Sequence, residues 1–287
     1  MEKTYDVLTI FDACADIIQD IGTSELRFDQ NEALVPPVET ALGGSACIFV
    51  SGCAKLGLKA AGPGIVGRDL FGRFVLDELK KSGVDVSYIC ERGGAKTAVS
   101  LALCKGGGRT TLTSGDSIAM LDASKVTPKM LSASRHLHIA SFFLLTGVAP
   151  GLADILWEAR RIGLSTSLDT NYDPAEKWEL PGDILKNVDI IMPNETEAIK
   201  LTREQNAESA ARALLKTVKV VALKRGERGA SVYADGARFD LPAPKIKLAD
   251  AVGAGDNFDA GFVRGFLSGY GWRDCLRAGV YCGAASA

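Results

Sequence analysis

Asp250-Ala251-Val252-Gly253-Ala254-Gly255-Asp256-Asn257-Phe258 is the stretch on which the reading of this 287-residue chain turns. Its small residues run straight into a helical pattern from Asn257 to Ser268. A helix that starts on Gly-Ala-Gly leaves its first backbone N–H groups uncovered. Those donors, with the positive end of the helix dipole, make an anion site. Asp256 stands beside that site, where a carboxylate can take a proton from an attacking hydroxyl, a contribution of about 10²–10⁴-fold. The same letters also describe an ordinary helix start, with Asp as the cap and Gly before it. Further on, Gly261, Gly265 and Gly269 recur every four residues, and so do Phe258, Phe262 and Phe266. One stripe admits a neighbouring backbone and the other fills core, so the helix is held rigidly.

Outward from that run, β-branched stretches alternate with helical periodicity. Strands are expected over Tyr5–Ile10, Leu137–Ala140, Leu164–Leu168, Ile190–Met192 and Val218–Leu223. Helices are expected over Leu70–Ser82, Leu152–Ile162 and Ala207–Lys216. This is the order of βαβ units in a mostly parallel sheet with helices on both faces. Two regions, near 12–42 and 96–114, depart from it. Asp16–Leu42 and Thr97–Thr113 lack helical period, and Ala102–Arg109 resembles a hairpin. Antiparallel insertions of this kind often form a lid over a site. With no repeat or linker in view, residues 1–287 are expected to form one α/β domain carrying a small β-sheet lid.

Composition narrows the partners. Hydrophobic residues make up 47% and charged residues 24%, with a formal net charge of −2 and no basic block. A nucleic-acid footprint needs clustered positive charge, so a small molecule is the better expectation. Met1–Asp6 runs directly into an apolar strand, unlike a signal peptide. The longest apolar stretch, Ile139–Trp157, is broken by Ser141, Gly147, Pro150-Gly151 and Asp154, unlike a membrane span. Seven dispersed cysteines without a Cys-x-x-Cys pair suit reduced thiols in the cytoplasm.

Other motifs each carry two readings. Asn194 with Glu197 three residues on is a capping box at a helix start, and the pair also offers an amide and a carboxylate to hydrated Mg²⁺. Asp16 follows an apolar strand, where its carboxylate can accept hydrogen bonds from vicinal hydroxyls or simply face solvent. Asp12, four residues earlier, has no assigned role. His136 and His138 share one face of a strand and, with no further histidine in the chain, read as packing. Gly62-Pro63-Gly64-Ile65-Val66-Gly67 fits Gly-x-Gly-x-x-Gly, but Pro63 lies inside it and no acidic ribose partner follows, so a dinucleotide cofactor is not expected. No Walker-type Gly-x-x-x-x-Gly-Lys-Ser/Thr occurs.

Taken in order, these segments resemble the ribokinase-like (PfkB) carbohydrate kinase family. Residues 250–258 are similar to its C-terminal signature, Asp-Thr-x-Gly-Ala-Gly-Asp-x-Phe. Gly43-Gly44 through Leu56-Gly57 resembles its N-terminal signature, and Gly64–Gly72 the stretch that follows. Leu168-Asp169-Thr170-Asn171 resembles its Asp-x-Asn element, Pro193–Glu197 its Asn-x-x-Glu magnesium motif, and Lys224–Gly229 its nucleotide loop. The resemblance spans nearly the whole chain.

It implies a ribokinase-like α/β fold, ATP as donor with Mg²⁺, and a sugar, sugar acid or nucleoside as acceptor. Asp256 is then the general base, and Gly253, Ala254 and Gly255 supply the anion hole. Asn194 and Glu197 hold Mg²⁺, partly through water. Asn194, Lys224, Gly226 and Gly229 lie along the nucleotide, and Asp16, Gly43, Gly44 and Ile48 at the acceptor. Asp250 is the position offered to K⁺, and a homodimer through the lid is the assembly some relatives use. Phosphoryl transfer needs positioning and charge neutralisation more than covalent chemistry, and these groups suit it.

The departures are local. Ile48 stands where many members carry an Asn that hydrogen-bonds the sugar, and Phe11 replaces a Gly, which narrows that wall. Ala251 and Val252 replace the usual Thr residues. Members usually continue past the helical pattern that ends at Ala287. A nucleoside kinase of the same fold and a non-catalytic sugar or nucleotide sensor are the alternative functions.

Overall fold

The computed structural model describes residues 3–30, 32–106, 108–246 and 252–287. Asp250 and Ala251 lie outside the described residues, so the K⁺ position does too. The strands are β1 (Tyr5–Thr9), β2 (Cys14–Asp20), β3 (Glu39–Gly43), β4 (Ala60–Ala61), β5 (Gly64–Gly67), β6 (Ile89–Arg92), β7 (Ala98–Lys105), β8 (Gly108–Ser114), β9 (Ser134–Ile139), β10 (Ser165–Leu168), β11 (Ile190–Ile191), β12 (Val220–Lys224), β13 (Ala230–Ala234) and β14 (Ala237–Leu241). The helices are α1 (Ser45–Lys55), α2 (Leu70–Lys81), α3 (Asp116–Ala119), α4 (Pro128–Ser132), α5 (Ala149–Arg161), α6 (Gly182–Leu185), α7 (Glu195–Thr202), α8 (Ala207–Leu214), α9 (Ala254–Leu267) and α10 (Trp272–Ala285).

The main sheet has the order β14-β13-β12-β11-β10-β9-β1-β4, parallel from β12 to β4, with β13 and β14 added antiparallel. Its parallel strands are short and apolar because both faces are covered. Side chains alternate between two cores. Leu8, Leu137, Ile139, Leu168, Val221 and Leu223 pack with Leu152 and Leu156 of α5. Val7, Ile190, Val220 and Ala222 pack with Phe49 of α1 and Phe258 and Phe262 of α9. Period-two alternation therefore turns the residues that follow Leu168 and Leu223, namely Asp169 and Lys224, toward α9.

His136 and His138 are fully buried on that same face. The rings bond Ser165 and Ser167 at 2.6–2.8 Å, and His138 stacks on Phe49 at 3.8 Å between centroids. Burial pushes His136 down to about 3 and His138 well below its ordinary value, so both are neutral packing groups, as their isolation in the sequence implies.

A second sheet, β3-β2-β7-β8, comes from the two aperiodic regions, and β7 and β8 form the hairpin. Between the sheets, β5 pairs with β6. Phe11 does not narrow an acceptor wall. It is 1% exposed, and a Cβ on Gly64 would stand 2.9 Å from its own Cβ. Gly64 makes room for that ring, which gives the Gly-Pro-Gly run a packing role.

The glycine stripe of α9 receives α10. A Cβ on Gly261 would lie 2.5 Å from the Ala278 carbonyl oxygen, and one on Gly265 would lie 3.1 Å from Cys275 Cα. Gly269 belongs to the helix exit instead, with φ of 77°. Gly261→Val should force the two helices apart and lower stability by about 1–3 kcal/mol, measurable as a drop in thermal midpoint.

Candidate active site

The C-terminal ends of β1, β10, β11 and β12 converge on the N-terminus of α9. This is the edge at which open α/β sheets bind ligands. Gly253 has the left-handed φ of 74° and occupies the cap position of α9, without a side-chain cap. Asp256 is therefore not the cap of the bland reading. It sits inside the first turn, 7% exposed, with no helix-capping task to explain it. Burial first and Asp169 second push its carboxyl up to about 7; Lys224 opposes, Asp12 adds, and the Ser45 hydroxyl opposes. A base poised near neutrality can accept a proton at ordinary pH.

Lys224 was expected along the nucleotide loop. Its ammonium points inward, 2.6 Å from Asp169 Oδ2 and 3.4 Å from both carboxylate oxygens of Asp259. Burial opposes the charge, but Asp169, Asp259 and Glu197 outweigh it and hold the lysine pKa up. Asp259 carries no motif signal in the sequence. Its one clue is position: a carboxylate three residues after Asp256, on the apolar side of a buried helix, needs a partner.

Asn194 and Glu197 make the capping box of α7. Glu197 N–H donates to Asn194 Oδ1 at 2.9 Å, while Asn194 N–H and Nδ2–H donate to Glu197 at 2.9 and 2.6 Å. Each Glu197 oxygen thus already accepts one bond, which suits contact with a metal through water. Burial first and Asp169 second raise Glu197 to about 7, against Lys224. Lys224 N–H bonds Pro193 O at 2.9 Å, which ties this turn to the end of β12. Arg228 ion-pairs with Glu195 across the same gap.

Gly226 and Gly229 close the turn after β12, with φ of 56° and 87°. A side chain on Gly229 would meet the Leu241 carbonyl oxygen at 2.0 Å, so only glycine fits.

At the turn into α1, Asp12 is a residue whose role the sequence leaves open. Its carboxylate accepts from Ser45 N–H at 2.9 Å and Ala46 N–H at 3.0 Å, capping α1 from the end of β1. A Cβ on Gly44, whose φ is 84°, would stand 2.3 Å from Asp12 O. Asp16 lies on β2 of the second sheet, and its Oδ1 would be 1.9 Å from a Cβ on Gly43. Gly43 and Gly44 thus let the two carboxylates seat over the turn into α1. Burial first and Asp12 second raise Asp16 to about 6, against Arg109. Ile48, one turn into α1, places its Cγ2 3.0 Å from where a Cβ on Gly253 would stand, so it packs behind the turn that opens α9.

Ser141 N–H donates to Asn171 Oδ1 at 2.7 Å, joining the loops after β9 and β10. Among the described residues, no group of three or more His, Cys, Asp or Glu is arranged as a metal site, and no helix is long and apolar enough to cross a membrane.

The chain has relatives in sequence and in fold. A 2-dehydro-3-deoxygluconokinase of Bacillus subtilis is 29% identical over 269 residues, covering 85% of this chain and 79% of that protein. An uncharacterised sugar kinase of Archaeoglobus fulgidus is 27% identical over 241 residues, covering 81% and 93%. The Arabidopsis thaliana ribokinase structure, complexed with ribose and ATP, superposes with a TM-score of 0.85 at 20% identity, covering 99% of this chain and 92% of that one; it shows the fold to be ribokinase-like. Residues 8–287 match the family model of the pfkB family carbohydrate kinases, and the chain belongs to that family.

Proposed function

We propose that this carbohydrate kinase transfers the γ-phosphate of ATP to a hydroxyl of a sugar or sugar acid, with Asp256 as the general base. The observation that carries this reading is the buried Asp256 carboxyl in the first turn of α9, directly after the left-handed Gly253. The backbone N–H groups of Gly253, Ala254 and Gly255 face the transferred phosphoryl group and stabilise its developing charge. Mg²⁺ bound with ATP would neutralise charge on the phosphate oxygens. Glu197 and Asn194 meet its water shell, because their direct hydrogen-bonding capacity is partly taken by each other. The turn at Gly226 and Gly229 carries the nucleotide.

Asp16, above Gly43, accepts bonds from acceptor hydroxyls, and the β3-β2-β7-β8 sheet closes over them as a lid. Ile48 supplies no hydrogen bond, so discrimination at the neighbouring hydroxyl is weak. Asp256 then takes the proton of the attacking hydroxyl as its oxygen bonds the γ-phosphorus and the bond from that phosphorus to the β–γ bridging oxygen breaks, with ADP as the leaving group. The free cysteines fit a cytoplasmic enzyme.

Coupled ATP-turnover assays over sugars, sugar acids, polyols and nucleosides test the reading. Acceptor-dependent ADP release with at least one sugar or sugar acid is expected. A response to nucleosides alone would favour the nucleoside kinase reading, and ligand binding without any ATP consumption would favour a sensor.

A further inference from the structure

Lys224 is buried more deeply than a nucleotide loop requires. The Lys224 side chain is 13% exposed and that of Asp169 is 1% exposed, yet the two meet at 2.6 Å. Burying an ammonium costs several kcal/mol unless it is well paired, so the chain spends part of its stability to keep a cation at this spot. The spot is specific. A Cβ on Gly255, in the anion hole, would lie 3.5 Å from Lys224 Nζ. Asp259, one helical turn beyond Asp256, reaches the same ammonium at 3.4 Å. Strand alternation along β10 and β12 aims both partners at α9 from separate strands.

We infer that Lys224 and Asp169 form a positioning pair for the transfer site, balancing charge beside the first turn of α9 so that Asp256 is the carboxyl left to take the acceptor's proton. The inference rests on Asp256 being the base. The groups that act on Asp256 are Asp169 after β10, Lys224 at the end of β12, Asp12 after β1, the Ser45 hydroxyl at the start of α1, and Asp259 on its own helix. Burial pushes Asp259 well above the carboxylate range, with Lys224 opposing and Asp169 adding to the rise. Lys224 and Asp169, in contact at 2.6 Å, flank the first turn of α9 with opposite effects. They pull Asp256 in opposite directions.

The test is kcat/KM against pH for the wild type, Lys224→Met and Asp169→Asn. The acid limb should move up by about one pH unit or more in Lys224→Met and down by a similar amount in Asp169→Asn. One unit below the wild-type limb, Lys224→Met then loses about tenfold more activity than it does on the plateau. A structural pair would lower both plateaus and leave the limbs in place, and that result overturns the inference. If Lys224→Met does not fold, the near-isosteric Asp169→Asn decides alone by whether its limb moves down. The underlying reading fails separately: turnover near the wild-type level in Asp256→Asn removes the base, whereas a strongly impaired Asp256→Asn beside unmoved limbs in the Lys224 and Asp169 variants removes only the pair's role.

Discussion

Asp256→Asn lowers kcat by about 10²–10⁴-fold, the range for loss of a general base, while ATP binding persists. The substitution keeps the shape of the side chain and its place in the first turn of α9, so the loss isolates proton transfer. Calorimetric titration with Mg·ATP beside steady-state kinetics checks both halves. The same variant should be more stable than the wild type at pH 8. Burial and Asp169 raise the folded-state value of Asp256 to about 7, far above the 3.8 of an exposed aspartate. Its contribution to stability is therefore fully present below about pH 4 and is lost as pH rises through 7. Asn carries no charge to bury and escapes that loss. A gain on the order of 4 kcal/mol at pH 8, vanishing near pH 4, is expected in denaturant melts. A variant that loses turnover and gains stability marks a carboxylate kept for chemistry rather than for the fold.

Gly253→Ala is expected to lower kcat/KM by about 10²–10³-fold, comparable with removing one anion-hole donor. Two strains act together. Gly253 is left-handed, a conformation that costs a residue with a Cβ about 1–2 kcal/mol. The new methyl would also stand 3.0 Å from Ile48 Cγ2. Relief requires the turn to rotate, and the N–H groups of Ala254 and Gly255 rotate with it. Trimming the contact in Gly253→Ala/Ile48→Ala should recover only part of the loss, because the backbone strain stays. Full recovery in the double variant would assign the whole effect to the side-chain contact.

The parallel core was legible because its strands and helices obey simple periods. Leu70–Ser82 was expected as a helix and α2 spans Leu70–Lys81; Tyr5–Ile10 was expected as a strand and β1 spans Tyr5–Thr9. The start of α9 was placed at Asn257 and lies at Ala254, because a left-handed glycine, which has no side-chain signature, fixes the turn. The antiparallel β13 and β14 carry no motif that separates them from other short strands. In the site, Asn194 and Glu197 were readable as a capping box, and they form one. Asp12, Asp259 and the inward turn of Lys224 were not readable, since each depends on partners 33 or more positions away in sequence or on an alternation that only the paired register reveals. Phe11 misled for a similar reason: its burial is set by Gly62 and Gly64, some fifty residues on.

The central claim is that Asp256 is the base of phosphoryl transfer, and the wild-type pH profile of kcat/KM tests it most directly. With Mg·ATP saturating and an active acceptor, the account predicts an acid limb centred near pH 7, falling about tenfold per pH unit below it, and absent in the residual activity of Asp256→Asn. A flat profile from pH 5 to 8, or the same limb persisting in Asp256→Asn, would contradict it.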